Sequence, residues 1–275
     1  MSLVSSPDDR FERWLHETEQ RHLADLTFPQ LSSGLRALSS TYVERRQRLG
    51  EGGALNGAGK RAAFALFYGP LHFLLVRAIV QALPGALRAT HETTLVDLGC
   101  GTGAAGSAWA TACDHAPRVV GIDRHPWALG EAARTYRGFA LAARTMKGDI
   151  ASVALPKGPA LILAAFALNE LADASRDGLM QVLLERVAGG DRLLVVEPVA
   201  GFVARWWDRW RQSIEQMGGR ADEWRFRIEL PPIVAKLDRA AKLDHRELTA
   251  RSLWLSRTFS TRPSPNRAGD RAASS

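Results

Sequence analysis

Hydrophobic positions in the first ninety residues recur every three or four places, a spacing that predicts helices. Phe11, Trp14 and Leu15 form one such set, and residues 31–42 carry the next. A glycine-rich stretch, residues 50–59, then separates these helices from a strongly apolar segment. No strand precedes the glycines and no Gly-Lys-Ser/Thr sequence closes them. We therefore interpret the stretch as a linker and not as a phosphate loop.

The segment after this linker is apolar around its whole circumference: Phe64-Ala65-Leu66-Phe67-Tyr68 leads into the hydrophobic residues 71–76. Such a helix must be buried. Residues 1–90 are therefore predicted to form a helical cap over the carboxyl edge of a sheet, with a bend at Tyr68-Gly69-Pro70. Polar residues and a proline interrupt the segment, so no membrane contact is expected. The chain start lacks a secretory signal pattern, so we expect a cytoplasmic location.

From Thr93 onward, short apolar runs alternate with helical segments, which is typical of a parallel α/β sheet. The predicted strands are 94–98, 118–122, 142–146, 160–166, 192–197, 224–230 and 251–259. The fold class is therefore predicted to be α/β, with a doubly wound, mostly parallel, seven-stranded Rossmann-like sheet in a domain spanning 91–259. The Ser/Pro/Arg-rich residues 260–275 are predicted to be a disordered tail.

Composition narrows the class of protein. With 46% hydrophobic and 24% charged residues, the 275-residue chain is typical of a globular protein and excludes a collagen-like or wholly disordered one. Its 36 Lys and Arg against 29 Asp and Glu give a net charge of +7, which leaves room for an anionic partner such as RNA. The two cysteines, Cys100 and Cys113, form neither a disulfide framework nor a Cys-x-x-Cys metal site, so no metal centre is expected.

The most informative string is Leu95-Val96-Asp97-Leu98-Gly99-Cys100-Gly101-Thr102-Gly103, three glycines between a buried strand and an alanine-rich helix. Glycines there allow the backbone to approach a ligand, and the helix N-terminus offers free N–H groups. The string also reads as Gly-x-Gly-x-x-Gly from Gly101 to Gly106, with Asp123 twenty residues after Gly103, as in a dinucleotide-binding fingerprint. The glycines alone leave both interpretations open.

Three further features distinguish between these two interpretations of the glycines. Asp97 lies inside the strand, where a dinucleotide-binding strand is usually apolar, and Asp149 closes the third strand within Gly148-Asp149-Ile150. Ninety helical residues also precede the sheet. Together these features resemble the class I S-adenosylmethionine-dependent methyltransferases, over roughly residues 94–259.

This resemblance implies S-adenosylmethionine as the cofactor and a role for each motif residue. The implied cofactor-binding residues are Gly99, Gly101 and Gly103 against the methionine moiety, Asp97 near its ammonium group, directly or through water, Asp123 on the ribose hydroxyls, Asp149 on the adenine amino group and Ile150 against the adenine ring. Two plainer interpretations stay open: Asp123 as a helix N-cap before Pro126, and Asp149 as a solvated turn residue.

After the fourth strand, Ala167-Leu168-Asn169-Glu170-Leu171 places an amide and a carboxylate at the carboxyl edge, where open α/β sheets bind ligands. Asn169 and Glu170 are therefore the candidate catalytic residues, facing the transferred methyl group. Glu170 could equally cap the helix that follows.

Three flanking motifs suggest a narrower family. Leu38-Ser39-Ser40-Thr41-Tyr42-Val43-Glu44-Arg45-Arg46, residues 167–171, and Val195-Val196-Glu197-Pro198 with Gly201-Phe202 resemble the methyltransferase-like assembly factors of the mitochondrial small ribosomal subunit and their bacterial relatives. Members of that family usually carry a cysteine cluster after the Glu-Pro motif, but residues 202–275 contain no cysteine. No metal cluster can form there, which puts ribosome binding in doubt.

The resemblance implies a methyltransferase whose acceptor is rRNA or another RNA. The alternatives are a non-catalytic RNA- or ribosome-associated assembly factor that keeps a cofactor pocket, and a small-molecule methyltransferase. Arg205-Trp206-Trp207-Asp208-Arg209-Trp210-Arg211 could stack on RNA bases, but its helical spacing favours an amphipathic helix with its tryptophans in the core. His245 is a weaker candidate for a base or substrate contact.

Overall fold

The computed structural model of the protein describes residues 7–44, 55–199 and 205–256. The Arg45-Arg46 and Gly201-Phe202 motif residues, residues 50–54 of the predicted linker and the predicted tail lie outside the described residues. The helices are α1 (Pro7–Leu23), α2 (Phe28–Glu44), α3 (Ala58–Ala63), α4 (Gly69–Ala82), α5 (Ala104–Ala112), α6 (Pro126–Gly138), α7 (Asp173–Ala188), α8 (Arg205–Gln216) and α9 (Pro232–Ala241). The strands are β1 (Thr94–Leu98), β2 (Arg118–Asp123), β3 (Ala143–Lys147), β4 (Ala160–Ala165), β5 (Arg192–Glu197), β6 (Arg220–Phe226) and β7 (Leu248–Ser256).

The seven strands form one sheet in the order β3-β2-β1-β4-β5-β7-β6. β1 to β5 pair in parallel, with Asp97 opposite Gly121 on one side and Leu163 on the other. β7 runs antiparallel between β5 and β6. The predicted seven-stranded, mostly parallel α/β sheet is confirmed. Its antiparallel β7 separates it from the usual dinucleotide-binding order 3-2-1-4-5-6.

The predicted bounds of the last two strands were wrong. β6 begins and ends four residues before its predicted bounds. β7 begins three residues before its predicted start, and residues 257–259 of the predicted strand lie outside the described residues. Ile228 and Leu230 continue the apolar alternation beyond β6, but they pack against the core from a loop. Pro231-Pro232 then begins α9, a helix that the sequence analysis did not predict, because proline suits the first turn of a helix.

The two faces of the sheet pack against different sets of helices because successive strand residues point to opposite sides. Leu95, Leu161 and Leu194 belong to a core shared with α1–α6 and α9, whereas Val96, Ile162 and Leu193 face α7 and α8. The N-terminal helices thus share one continuous hydrophobic core with the sheet. The division into a cap over 1–90 and a domain over 91–259 stays a prediction.

Aromatic stacking attaches α1 to the rest of the molecule. The ring of Phe73 on α4 lies between those of Phe11 and Phe139, with centroid distances of 4.7 and 4.9 Å. The indole N–H of Trp14 also donates to Thr135 Oγ1 on α6 at 3.1 Å. The first helix is therefore held by contacts to both α4 and α6.

The residues of the predicted bend, Tyr68-Gly69-Pro70, lie inside a helix that continues from Ala58 to Ala82. A π-helical turn, Phe64–Tyr68, joins α3 to α4, and Gly69 has helical dihedrals (φ −54°, ψ −56°) and donates its N–H to Phe64 O. Such a turn absorbs one extra residue and so lets the helix continue through the proline. The resulting helix, Ala58–Ala82, is long and apolar enough to cross a membrane by length and composition, and 67% of its most apolar window is buried inside the protein.

A charged cluster also joins α1 to α6. Glu131 is 3% exposed and accepts two hydrogen bonds from Arg21, at 2.6 and 2.8 Å, one from Arg134 at 3.1 Å and one from His22 at 3.3 Å. Burial opposes its charge, but the hydrogen bonds from His22 and Arg21 outweigh burial and lower the pKa of Glu131. The carboxylate is thus a charged anchor between the N-terminal helices and the sheet domain.

We expect Glu131→Gln to lower the free energy of unfolding at pH 7 by about 1–3 kcal/mol, because it leaves the cations of α1 without their anion. The lowered pKa means that the stabilisation is present above the ordinary value of 4.5 and is lost as pH falls. Urea denaturation at pH 7 and pH 4 measures both effects. Asp208→Asn, which removes an exposed carboxylate paired with Arg211, is the control and should change stability by less than about 0.5 kcal/mol. Equal effects of the two variants would contradict the anchor.

Candidate active site

The carboxyl ends of β1, β2, β4 and β5 meet at one cavity of about 500 Å³, a size typical of small-molecule sites. The helix Ala58–Ala82 covers part of it. The lining residues are Leu55, Phe64, Tyr68, His72, Gly99, Cys100, Gly101, Thr102, Ala104, Ala105, Asp123, Arg124, His125, Pro126, Ala128, Ile150, Ala165, Phe166, Ala167, Asn169, Glu170, Leu171, Glu197 and Pro198.

The glycine turn after β1 is forced by close contacts. Gly99 has φ +70°, and a Cβ at that position would lie 2.5 Å from the Cβ of Ala167. Gly103 has φ +76° and caps α5, and its Cβ would lie 2.9 Å from the ring of Tyr136. Both positions therefore require glycine for conformation and for space. Of the predicted turn residues, Gly99 and Gly101 line the cavity and Gly103 lies behind it.

Asp97 does not line the cavity, and its predicted place near the methionine ammonium group, directly or through water, stays a prediction. Its side chain lies on the face of β1 that Leu95 shares, 1% exposed, and accepts a hydrogen bond from Tyr136 Oη at 3.1 Å. A Cβ on Gly106 would lie 2.3 Å from Asp97 Oδ2, so this glycine makes room for the carboxyl group. Burial raises the pKa of Asp97 from 3.8 to about 7, against the lowering effect of the Tyr136 hydrogen bond.

Asp123 at the end of β2 lines the cavity, as predicted for a ribose-binding carboxylate. Its Oδ2 accepts the N–H of Gly101 at 2.9 Å and its Oδ1 the N–H of His125 at 2.8 Å. These bonds fix the carboxylate at the mouth of the glycine turn and leave each oxygen able to accept another hydrogen bond. The N-cap of α6 is His125, whose side chain accepts from Trp127 N–H, so the alternative of Asp123 as N-cap is wrong.

The third strand end contributes an apolar wall instead of a carboxylate. Ile150 is buried and lines the cavity. Asp149 is exposed, lies outside the lining, and accepts the N–H of Ala151 at 3.0 Å. This arrangement corresponds to the solvated turn that the sequence analysis left open, because the local hydrogen bond holds the side chain away from the cavity.

Asn169 lies between an indole and a carboxylate that the sequence analysis did not connect with it. Trp206 Nε1 donates to Asn169 Oδ1 at 3.1 Å, and Asn169 Nδ2 donates to Glu197 Oε2 at 2.5 Å. Because an indole N–H can only donate a hydrogen bond, the atom of the Asn169 amide that faces Trp206 must be the oxygen. Glu197 Oε1 in turn accepts the N–H of Leu168 at 2.9 Å.

A buried arginine holds the same turn from the other side. Arg176 Nε donates to Leu168 O at 2.8 Å, Nη2 to Leu171 O, and Nη1 to Asp173 Oδ1 at 2.8 Å. Its guanidinium also lies 5.0 Å from the ring centre of Trp206. The turn that carries Asn169 is therefore held by two buried side chains from α7 and α8 as well as by Glu197.

Glu170 lines the cavity on the side of Asp123. Burial and the negative charge of Asp123 raise the pKa of Glu170 to about 7, opposed by Arg124. The N-cap of α7 is Ala172, which has no side-chain capping bond, so Glu170 is not the cap of that helix. Burial likewise raises the pKa of Glu197, which is 0% exposed, to about 7. Two carboxyl groups therefore border the cavity with pKa values near neutrality.

Three rings of the Ala58–Ala82 helix form a roof that the sequence analysis missed as part of the site. Phe64 lies next to Gly101, where a Cβ would contact its ring at 3.3 Å. Tyr68 follows one turn later, with centroid distances of 6.0 Å to Phe64 and 6.1 Å to His72. The signal in the sequence was a polar histidine four residues after a tyrosine in the otherwise apolar stretch 62–76.

The remaining candidates lie outside the cavity. Trp206, Trp207 and Trp210 are 4, 7 and 0% exposed, so the core interpretation of these residues is confirmed. His245 is paired with Asp238, with its Nδ1 2.5 Å from Asp238 Oδ1, and does not line the cavity. Within the described ranges, no three His, Cys, Asp or Glu side chains are grouped to hold a metal ion.

Residues 95–190 match the family model described as "Methyltransferase domain". The match covers β1 to α7, including the glycine turn, Asp123 and Asn169. Together with the strand order, it assigns the chain the class I S-adenosylmethionine-dependent methyltransferase fold and supports a methyltransferase domain. No curated protein matches the sequence significantly.

Solved structures with a similar backbone fold include methyltransferases. An S-adenosylmethionine-dependent methyltransferase from Aquifex aeolicus is 15% identical, with 68% of this chain and 91% of that chain covered and a TM-score of 0.45. The mitomycin 7-O-methyltransferase MmcR is 16% identical, with 92% and 74% covered and a TM-score of 0.48. Neither of these two proteins is a small-subunit assembly factor, and the narrower resemblance stays a prediction.

We expect Asp97→Asn to become more stable relative to the wild type as pH rises from 5 to 8. A raised folded pKa means that the protonated acid stabilises the fold at low pH, and that this contribution is lost as pH rises toward about 7. The amide cannot ionise, so the difference in unfolding free energy should shift by at least about 1 kcal/mol in its favour. Denaturant titration at several pH values measures it. Asp149→Asn controls for the lost charge, and parallel curves for wild type and Asp97→Asn would refute the shift.

Proposed function

We propose that this protein is an S-adenosylmethionine-dependent methyltransferase. The observation that carries the proposal is Asp123, held by Gly101 N–H and His125 N–H at the mouth of the glycine turn and facing a cavity. A carboxylate with a free acceptor position on each oxygen suits two neighbouring ribose hydroxyls. The strand order and the match over residues 95–190 support the same activity.

The residues present suit this cofactor. Asp123 would hold the ribose, Ile150 would pack against the adenine, and the turn from Gly99 to Gly101 would lie along the methionine moiety. Asp97 would act indirectly, since it supports the turn from behind through Gly106 and Tyr136. Asp149 would reach an adenine amino group only by leaving its bond to Ala151 N–H.

When bound, the cofactor supplies a methyl group that is already activated as part of a sulfonium. The protein's main task is then to align the acceptor, and alignment can lower a barrier by roughly 7–11 kcal/mol. A proton leaving the acceptor would pass to a carboxylate of the cavity. Glu170 and Glu197, with pKa values of about 7, are matched to that task near neutral pH.

The acceptor must enter under the roof of the Ala58–Ala82 helix. The burial of Trp206, Trp207 and Trp210 removes the main sequence argument for an extended RNA-stacking surface on α8. RNA remains a candidate acceptor through an unpaired base, and a small molecule is the alternative. A non-catalytic assembly factor that keeps the cofactor pocket is the second function considered.

We expect the wild-type chain to bind S-adenosylhomocysteine, and Asp123→Asn to weaken this binding about 10- to 100-fold, because an amide offers one acceptor atom in place of two. Calorimetry measures the affinity, and circular dichroism checks that the variant is folded. Asp149→Asn is the matched variant, and we expect it to bind within about threefold of wild type. No heat and no thermal shift at millimolar ligand with folded wild-type protein would refute the proposal.

Incubation with methyl-labelled cofactor and cell extract separates an enzyme from an assembly factor. We expect label in RNA or in a small molecule, and less label with Glu197→Gln, which has the same size but cannot accept a proton and loses one of the two hydrogen bonds that Glu197 accepts. Co-sedimentation with ribosomal particles without any labelled product would favour the assembly factor.

A further inference from the structure

Phe166 and His72 both line the cavity and form an aromatic pair in direct contact, referred to below as the aromatic clamp. Phe166 follows β4 at the edge of the sheet, and His72 belongs to α4 in the roof. Their rings are stacked, with centroids 4.0 Å apart and an interplanar angle of 14°. The clamp is therefore a direct contact between the N-terminal helices and the strand end that precedes Asn169.

The backbone at Phe166 is held in an unfavourable conformation. Its φ is +58°, in the left-handed region that residues other than glycine rarely adopt. The N–H of Phe166 donates to Val196 O at 2.8 Å, and the next residue, Ala167, occupies the space that a Cβ on Gly99 would need. These contacts hold the left-handed turn in place. Strain of this kind at a cavity edge is typical of a side chain that is positioned for a ligand.

His72 is the polar member of the clamp. Within the described residues, neither of its ring nitrogens makes a hydrogen bond, and the side chain lines the cavity. Burial lowers the pKa of His72 to about 3, so the imidazole is neutral and offers one N–H donor and one acceptor nitrogen. A base this weak does not hold a proton near neutral pH, which makes His72 a hydrogen-bonding wall and not a general base.

Asn169, three residues after Phe166, forms a polar pair with Glu197. Trp206 and Glu197 fix the amide of Asn169, so that its Nδ2 directs one N–H to Glu197. The second Nδ2 hydrogen has no partner among the residues that the structure describes. Glu197 accepts one hydrogen bond on each oxygen and can accept more. A donor and an acceptor thus stand side by side.

We propose that the aromatic clamp and the Asn169–Glu197 pair form the acceptor subsite, which takes a flat heteroaromatic ring with a hydrogen-bond donor beside an acceptor on its edge. Three rings, those of Tyr68, His72 and Phe166, offer π faces and edges, and Asn169 and Glu197 read the ring edge. Glu170, which interacts with Asp123 and Arg124, is not part of this ring-edge pair and keeps its proposed role as a proton acceptor. This inference rests on the proposed methyltransferase function and names the acceptor class.

The test measures how tightly ring compounds bind to the full chain. The chain is first saturated with S-adenosylhomocysteine, which fills the proposed cofactor region. Cytosine is the probe with a ring and a donor–acceptor edge. Cyclohexylamine has a donor without a flat ring, and anisole has a flat ring without a donor. A single-stranded hexanucleotide of cytidine is the second arm. Binding of free cytosine indicates a small-molecule source, and binding of the hexanucleotide alone indicates an RNA source; either result supports the subsite.

We expect His72→Leu to weaken binding roughly 5- to 100-fold, the range that stacking on one aromatic ring supplies. His72→Phe, which keeps the stack and loses the hydrogen bonds, should recover part of that loss. His16→Leu is the matched control, since His16 is an exposed histidine on α1 outside the cavity. Binding of S-adenosylhomocysteine should be the same in all four proteins.

Three results would overturn the subsite: no binding of cytosine or the hexanucleotide by the loaded protein, binding of cyclohexylamine or anisole as tight as that of cytosine, or equal affinities for wild type and His72→Leu. Failure to bind S-adenosylhomocysteine is a separate result and counts against the proposed function. In that case ring binding is measured on the unloaded chain, where the same variant comparison decides the subsite.

Discussion

The close approach of Gly99 to Ala167 is the contact on which the site depends. The two residues follow neighbouring parallel strands, β1 and β4, and a Cβ on Gly99 would lie only 2.5 Å from that of Ala167. This contact sets the glycine turn and the start of the Asn169 turn side by side. The proposed cofactor half and the proposed acceptor half of the cavity thereby lie on one edge of the sheet, and a larger residue in place of Gly99 would push them apart.

The arrangement of the site buries carboxyl groups, and this burial costs free energy. Asp97, Glu170 and Glu197 all lie where burial raises the pKa to about 7. Asp97 supports the turn from behind and faces no ligand, whereas the two glutamates border the cavity. Placing ionisable groups in low-dielectric surroundings costs stability, and active sites are the usual place where proteins accept that cost.

The N-terminal helices contribute to the site as well as to the core. α1 is held by the Phe11–Phe73–Phe139 stack and by the Glu131 cluster, and these contacts fix the position of α4 and its neighbours. The π-helical turn keeps the Ala58–Ala82 helix continuous through Pro70, so that Phe64, Tyr68 and His72 line the same cavity from above. The roof therefore depends on packing that lies far from the cavity.

Much of the fold followed from local pattern. The five parallel strands were predicted to within one residue because buried parallel strands are short apolar runs bounded by turn residues. β6 was misplaced because Ile228 and Leu230 continue the apolar alternation past its end. The glycine turn and Asp123 were found from spacing, since the carboxyl ends of parallel strands meet at one edge. Period-two alternation places Asp97 on the same face of the sheet as Leu95, whose side chain belongs to the core on that face.

The sequence by itself determined the α/β class, the cofactor-side motifs and the burial of the α8 tryptophans, because these depend on neighbours in the chain. Only the tertiary structure decided that Asn169 pairs with Glu197 and Trp206, that Glu170 lies beside Asp123, and that His72 meets Phe166. These contacts join residues 28 to 94 positions apart, and no periodicity within one helix or strand carries information about them. They exist because packing of the roof and of α8 against the sheet brings distant segments to one edge.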